Sequence, residues 1–260
     1  MNVFGGRDAS PWRTRTLRAA ARADWRLRCS PVGPDARGAV LMYHSVGGWA
    51  GNTGGRTVDV DRFRAHLRRF ASLGQFVDLP AVVEGDASGP LRVAVTFDDG
   101  YETVYTDALP VLREFDAPAT VFVIADRVGG ETEHGVPYLD ADQVRELVAD
   151  DLVTVGNHTR THARLPDLDA DALREEVVGA KRALRERFGC AADRFCYPYG
   201  AYGDRELELV SETHALGTAD AGLVGDDPDQ RCVPRVDMSD PASILRCDLA
   251  GLASRVGVRP

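Results

Sequence analysis

Lysine is nearly missing from this chain: Lys181 stands alone beside 30 arginines. Glutamate is scarce too, with 12 residues against 28 aspartates, and the net charge at pH 7 is −9. An acidic balance of that size argues against a nucleic-acid-binding surface. Abundant Asp with almost no Lys matches proteins adapted to high salt, whose strongly hydrated acidic surface resists association once salt screens charge. A GC-biased genome, which also favours Arg over Lys, leaves the same signature, and composition does not separate the two.

Paired cysteines are absent as well. Cys29, Cys190, Cys196, Cys232 and Cys247 form no Cys-x-x-Cys motif, which disfavours a thiolate zinc knuckle. The odd count and loose spacing predict free, mostly buried thiols in a reducing compartment. No stretch approaches the roughly 20 apolar residues that span a bilayer. The N-terminus shows no apolar signal core, so the expected location is cytoplasmic. What remains is a chain of 260 residues, 44% hydrophobic, enough for one α/β domain with a sizeable core. Nothing in it specifies an oligomeric state.

Residues 1–37 look like an appendage. Arg15, Arg18, Arg22 and Arg26 lie at helical spacing, with Leu17, Ala21 and Trp25 on another face. One reading is an amphipathic helix in weak contact with an anionic membrane surface. The other is a helix packed on the domain with its arginines outward, and the weak apolar face favours it.

From residue 38 to 260 strand-like and helix-like segments alternate. Strands are expected at 39–43, 93–97, 119–124, 153–155, 195–197, 216–218 and 233–236. Helices are expected at 61–73, 103–115, 140–149, 169–188 and 204–213. Pro110 should kink or reset the second of these, and Gly189 should end the fourth. Repeated βα units in a chain of this size suggest a parallel barrel, distorted or incomplete.

Two motifs carry chemistry. Thr96-Phe97-Asp98-Asp99-Gly100 follows a buried strand, which puts adjacent carboxylates where a strand ends. His158-Thr159-Arg160-Thr161-His162 follows Leu152-Val153-Thr154-Val155-Gly156, and its imidazoles share a face if the segment coils through one helical turn. Two imidazoles and one carboxylate, with a position left for water, make a hydrolytic metal site. The second aspartate is then free to move a proton. Aspartate pairs are cheap here, since Asp150-Asp151 and Asp226-Asp227 also occur. A His pair at ligand spacing in a chain with six His is not.

Together with Phe195-Cys196-Tyr197-Pro198-Tyr199-Gly200, these motifs resemble the polysaccharide deacetylases of carbohydrate esterase family 4, the NodB-like homology domain, over roughly residues 38–240. The resemblance implies a distorted (β/α) barrel with its site at the C-terminal strand ends, and removal of N-acetyl groups from a glycan. It implies Asp98 as catalytic base and Asp99, His158 and His162 as ligands of a divalent metal. Zinc leads the candidates, with cobalt, nickel and manganese behind. Tyr199 would hold the oxyanion through its backbone N–H. The family often has Arg where this chain has Cys196, and that Arg orients the base; Arg235 is the candidate substitute. The family's late Leu-x-x-His acid is also absent, and the helical context of His214 does not suit that role. His44, in Leu41-Met42-Tyr43-His44-Ser45-Val46, fits a circularly permuted branch related to poly-N-acetylglucosamine deacetylases, in which the acid comes first. A structural histidine at the barrel mouth is the bland alternative.

Tyr43, Tyr101, Tyr197 and Trp49 are candidates to stack on sugar faces, or simply to pack. Two rival functions remain open: a hydrolase of a cyclic amide or ureide on the same scaffold, and a non-catalytic glycan-binding relative. If the acidic composition reflects salt adaptation, the melting temperature rises from low salt to molar KCl as carboxylate repulsion is screened. Thermal melts across a KCl series check this, and a flat or falling midpoint assigns the composition to genome bias.

Overall fold

The computed structural model describes residues 38–48, 56–84, 90–220, 223–224, 227–240 and 243. The N-terminal appendage, Trp49, Cys29 and Cys247 lie outside the described residues. No helix among the described residues is long and apolar enough to cross a membrane.

The chain builds a closed parallel barrel. Its strands are β1 (Gly38–Tyr43), β5 (Leu91–Phe97), β6 (Ala119–Val123), β7 (Val153–Asn157), β8 (Arg194–Cys196), β9 (Leu216–Asp220) and β10 (Val233–Asp237). Neighbours pair in that order from β5 to β10, and β1 closes the ring by pairing with both β10 and β5. The barrel is therefore complete, where sequence left an incomplete one open. Strands this buried on both faces need continuous apolar runs, and Ala39-Val40-Leu41-Met42-Tyr43 and Val93-Ala94-Val95 supply them.

The short elements escaped the sequence reading. Strands β2 (Ser45–Val46) and β3 (Thr57–Val58) pair with each other just above β1. Strand β4 (Gly74–Phe76) takes the first half of one edge of β5, at Leu91 to Val93, while β6 takes the second half, at Val95 to Phe97. Two or three residues are too few to show a period.

Helices α1 (Val60–Leu73), α2 (Leu79–Val83), α3 (Leu109–Glu114), α4 (Ala141–Ala149), α5 (Ala170–Arg174), α6 (Ala180–Phe188) and α7 (Asp204–Thr213) accompany the strands. In α1 the apolar stripe Phe63, Leu67 and Phe70 is buried, and the Asp59 carboxylate caps the first turn. Asp140 and Gln143 form a capping box on α4. The expected helix at 103–115 is a π turn over Val104–Ala108 that passes into α3 at Leu109–Pro110. Pro110 lacks the N–H that a continuous helix needs. The expected helix at 169–188 is likewise broken by a π turn at Glu175–Gly179, and Gly189 ends it at φ +73°.

The period of 2 along β5 divides its side chains between two cores. Val93, Val95 and Phe97 join the large cluster under α1, α3 and α4. Ala94 joins a smaller cluster with Val40, Phe122, Cys196 and Val233, which Leu79 and Val82 of α2 also enter. Asp98 continues the Ala94 and Thr96 face, so it is carried to the barrel mouth. Packing tolerates little inside the sheet: a Cβ on Gly217 would lie 2.2 Å from the Arg231 carbonyl oxygen, whereas one on Gly48 would meet nothing within 4 Å. Gly217→Ala should therefore cost about 1–3 kcal/mol of stability, and Gly48→Ala far less, read as urea midpoints of the two variants.

Candidate active site

Backbone pairing sets which residues meet at the rim. Tyr43 is in register with Phe97, and the Asp98 N–H donates to the Tyr43 carbonyl at 2.9 Å. The next residues of the two strands, His44 and Asp98, therefore leave side by side. Strand β7 pairs Asn157 with Val123, and the His158 N–H donates to the Val123 carbonyl at 3.0 Å. His44, Asp98, Asp99, His158, His162 and Tyr199 all line one cavity of about 200 Å³. Six residues drawn from four separate motifs thus share one pocket.

Asp98 is 4% exposed, and the buried guanidinium of Arg235 grips both its oxygens, Nη1 to Oδ1 at 2.6 Å and Nη2 to Oδ2 at 2.7 Å. Burial pushes an aspartate pKa up, but the paired guanidinium outweighs it and holds Asp98 well below the usual carboxylate range. Arg235 also donates to Thr96 Oγ1 at 3.3 Å and to Cys196 Sγ at 3.2 Å. An arginine at position 196 would compete for this volume. The small thiol leaves room for a guanidinium delivered from β10 instead.

Asp99 turns away from Asp98 because its backbone adopts φ +70°, followed by Gly100 at φ +73°. Its Oδ1 lies 3.5 Å from His158 Nε2 and 3.4 Å from His162 Nε2. For ligand bonds of about 2.0–2.1 Å, the edge of a tetrahedron is about 3.4 Å. The donor atoms of Asp99, His158 and His162 all lie within 4.8 Å of one another. The set fits a small dication with one position left for water. His158 Nδ1 donates to the Cys196 carbonyl at 2.9 Å, which leaves the Nε2 lone pair on the ligand side. Burial pushes the Asp99 carboxyl up, but the imidazole of His158 beside it outweighs burial and brings it down to about 2, so it is ionised. Burial and the neighbouring His158 push His162 down to about 4, leaving it neutral. Asp98, His158 and Cys196 also come close. They make no second metal set, because Nδ1 and both Asp98 oxygens are already committed.

The two histidines do not meet through a helical turn. Residues 158–162 form an irregular loop with Thr159 at φ +64° and His162 at φ +69°. The loop is held from below. Asn157 Oδ1 accepts from the Thr159 N–H, Thr159 Oγ1 accepts from the His162 N–H, and Glu176 accepts from the Arg160 and Thr161 N–H groups. Asn157 Nδ2 donates to the Val177 carbonyl and to His214 Nε2 at 3.0 Å. His214 is thus a buried support for the loop, and burial lowers it to about 3.

His44 is buried with its Nε2 2.7 Å from Arg56 Nη1. A guanidinium only donates, so Nε2 is the acceptor and the ring proton sits on Nδ1, which has no partner among the described residues. Arg56 was not visible as a site residue in the sequence, because it follows a glycine-rich stretch and precedes the two-residue β3. Tyr199 adopts φ +60°, is 63% exposed and packs its ring edge-on to His162 at 4.6 Å. Tyr43 is not a sugar platform: it is buried against Phe63 and Phe97, with its hydroxyl 3.1 Å from His66 Nδ1. Tyr197 is buried too, donating to the Arg231 carbonyl at 2.9 Å. Tyr101 does reach the cleft.

Comparison with known proteins bears on the family and the fold. YxkH of Bacillus subtilis, named as a polysaccharide deacetylase, is 27% identical over 207 residues, covering 77% of this chain and 71% of YxkH. The poly-beta-1,6-N-acetyl-D-glucosamine N-deacetylase of Staphylococcus aureus is 23% identical over 191 residues, covering 69% of this chain and 64% of that protein. The structure of IcaB from Ammonifex degensii superposes with a TM-score of 0.72 at 26% identity, covering 84% of this chain and 97% of that one. The family model described as polysaccharide deacetylase matches residues 86–216, the stretch that holds both aspartates, both histidines and the Tyr199 turn, and the chain belongs to the polysaccharide deacetylase family.

Proposed function

We propose that this protein is a metal-dependent hydrolase that removes N-acetyl groups from an amino-sugar glycan. The observation that carries the reading is the placement of the Asp99, His158 and His162 donor atoms at metal-ligand separations beside an Asp98 that Arg235 keeps ionised. The names of the relatives put N-acetylated glycans ahead of a cyclic amide or ureide. The complete ligand set speaks against a purely binding relative.

A dication held by Asp99, His158 and His162, zinc first among the candidates, would supply an acidified water, its pKa near about 7, and a Lewis acid for the acetyl carbonyl. Asp98 would take the proton of the attacking water, and Arg235 fixes the direction of its carboxylate while weakening it as a base. The Tyr199 N–H, presented by the left-handed turn, holds the developing oxyanion. His44 gives a proton to the leaving amine, which is a poor leaving group without one. That role requires Nε2 to exchange its Arg56 partner for a proton.

Asp99→Ala and His158→Ala should lose bound metal and acetate release together while the fold persists. Asp98→Asn should keep the metal and lose about 10²–10⁴ of turnover. Metal content by mass spectrometry beside acetate release separates the two roles, and equal metal loss in Asp98→Asn and Asp99→Asn would overturn the division.

His44→Ala should lower turnover on N-acetyl amides by about 10²–10⁴ and cost much less on an activated acetyl ester, whose leaving group needs little protonation. Equal losses on the two substrates would make His44 structural.

A further inference from the structure

The cleft carries charge opposite to that of the chain. The whole sequence has a net charge of −9, yet among the described residues the acids lining the cleft are Asp98 and Asp99. Asp98 is neutralised by Arg235, and Asp99 faces the two metal-site histidines. Two guanidiniums line the cleft without a carboxylate partner among the described residues. Arg56 lies on the His44 side, where its contact is the imidazole, and Arg127 lies on the other.

Arg127 belongs to a second lobe of about 190 Å³, which shares Asp99, His162 and Tyr199 with the first. The lobe has room for a single sugar ring. Tyr101 and Tyr138 stack there at 5.3 Å with their planes 12° apart, held by a backbone bridge between the same two residues. Rigid tyrosines with one apolar face and one polar tip suit the C–H faces and hydroxyls of a pyranose. A planar guanidinium at the edge of such a platform suits a carboxylate, which it grips with two parallel N–H bonds.

We propose that the second lobe seats the sugar next to the one being deacetylated, and that Arg127 there selects a glycan whose neighbouring sugar is a uronate. The inference rests on the deacetylase reading and goes beyond it by naming the substrate class. A chain already rich in free glucosamine is cationic and is repelled by Arg56 and Arg127 alike, so long neutral-to-cationic polymers are the poorer substrates.

The test compares acetate release by the metal-loaded enzyme from two oligosaccharides of equal length. One is a neutral oligomer of N-acetylglucosamine, and the other alternates N-acetylglucosamine with glucuronate. Wild type should show kcat/KM about tenfold higher on the carboxylated chain, the factor expected of one charge-assisted contact. Arg127→Gln should collapse that ratio toward unity through KM, Arg127→Lys should restore part of it, and the advantage should shrink from about 0.05 to 0.5 M NaCl. A wild-type ratio at or below unity, or a ratio that Arg127→Gln leaves unchanged, overturns the inference while acetate release from the neutral oligomer upholds the deacetylase reading. No acetate from either chain with metal bound overturns that reading, and this inference with it.

Discussion

The pairing of Asp98 with Arg235 is the interaction on which the rest of the site depends. Either charge alone at the barrel mouth would be costly, since removing one partner of a buried pair leaves the other desolvated and uncompensated. Together they satisfy each other with two short hydrogen bonds, and Thr96 and Cys196 take up remaining donors of the guanidinium. The pair also separates the roles of two adjacent aspartates. Asp98 has both oxygens turned to Arg235, so Asp99 is left to face the histidines. Two carboxylates one position apart in sequence therefore face different partners.

That pair joins β5 to the last strand, and β1 lies between them in the barrel. Closure by β1 is what brings His44 to the rim. Residues 44 and 98 are far apart in sequence and become neighbours because Tyr43 and Phe97 are in register. Parallel closure gathers all strand ends on one side, so a histidine near the start of the domain and an arginine near its end serve one cavity.

The loops that complete the site carry unusual backbone conformations. Asp99, Thr159, His162 and Tyr199 all have positive φ without being glycine. Such conformations cost on the order of 1–3 kcal/mol each and persist where the surroundings over-determine them. Asn157, the Thr159 hydroxyl and Glu176 provide that support for the histidine loop. The π turn at Glu175–Gly179 carries Glu176 into this contact. A break in a long helix and a strained histidine loop are therefore two sides of one arrangement.

Local pattern determined much of this protein. Apolar runs with β-branched residues marked the strands ending at Phe97 and Val123, and the spacing in Phe63, Leu67 and Phe70 marked the first helix, because periods of 2 and 3.6 follow from backbone geometry alone. Asp98, Asp99, His158 and His162 stood out in the sequence because carboxylates and imidazoles that follow strands suit metal-assisted hydrolysis, and the structure brings all four to one cavity. Even so, the helical turn expected to join the histidines is a left-handed loop. The cause is the set of hydrogen bonds from Asn157 and Glu176, which lie outside the motif. Only the tertiary structure decided that Arg56 sits on His44, that Tyr43 and Tyr197 are core rather than platform, that Arg127 shares a lobe with Tyr101 and Tyr138, and that the barrel closes through β1. Each of these is a contact between distant segments, set by strand register and packing, and no period within one segment encodes it.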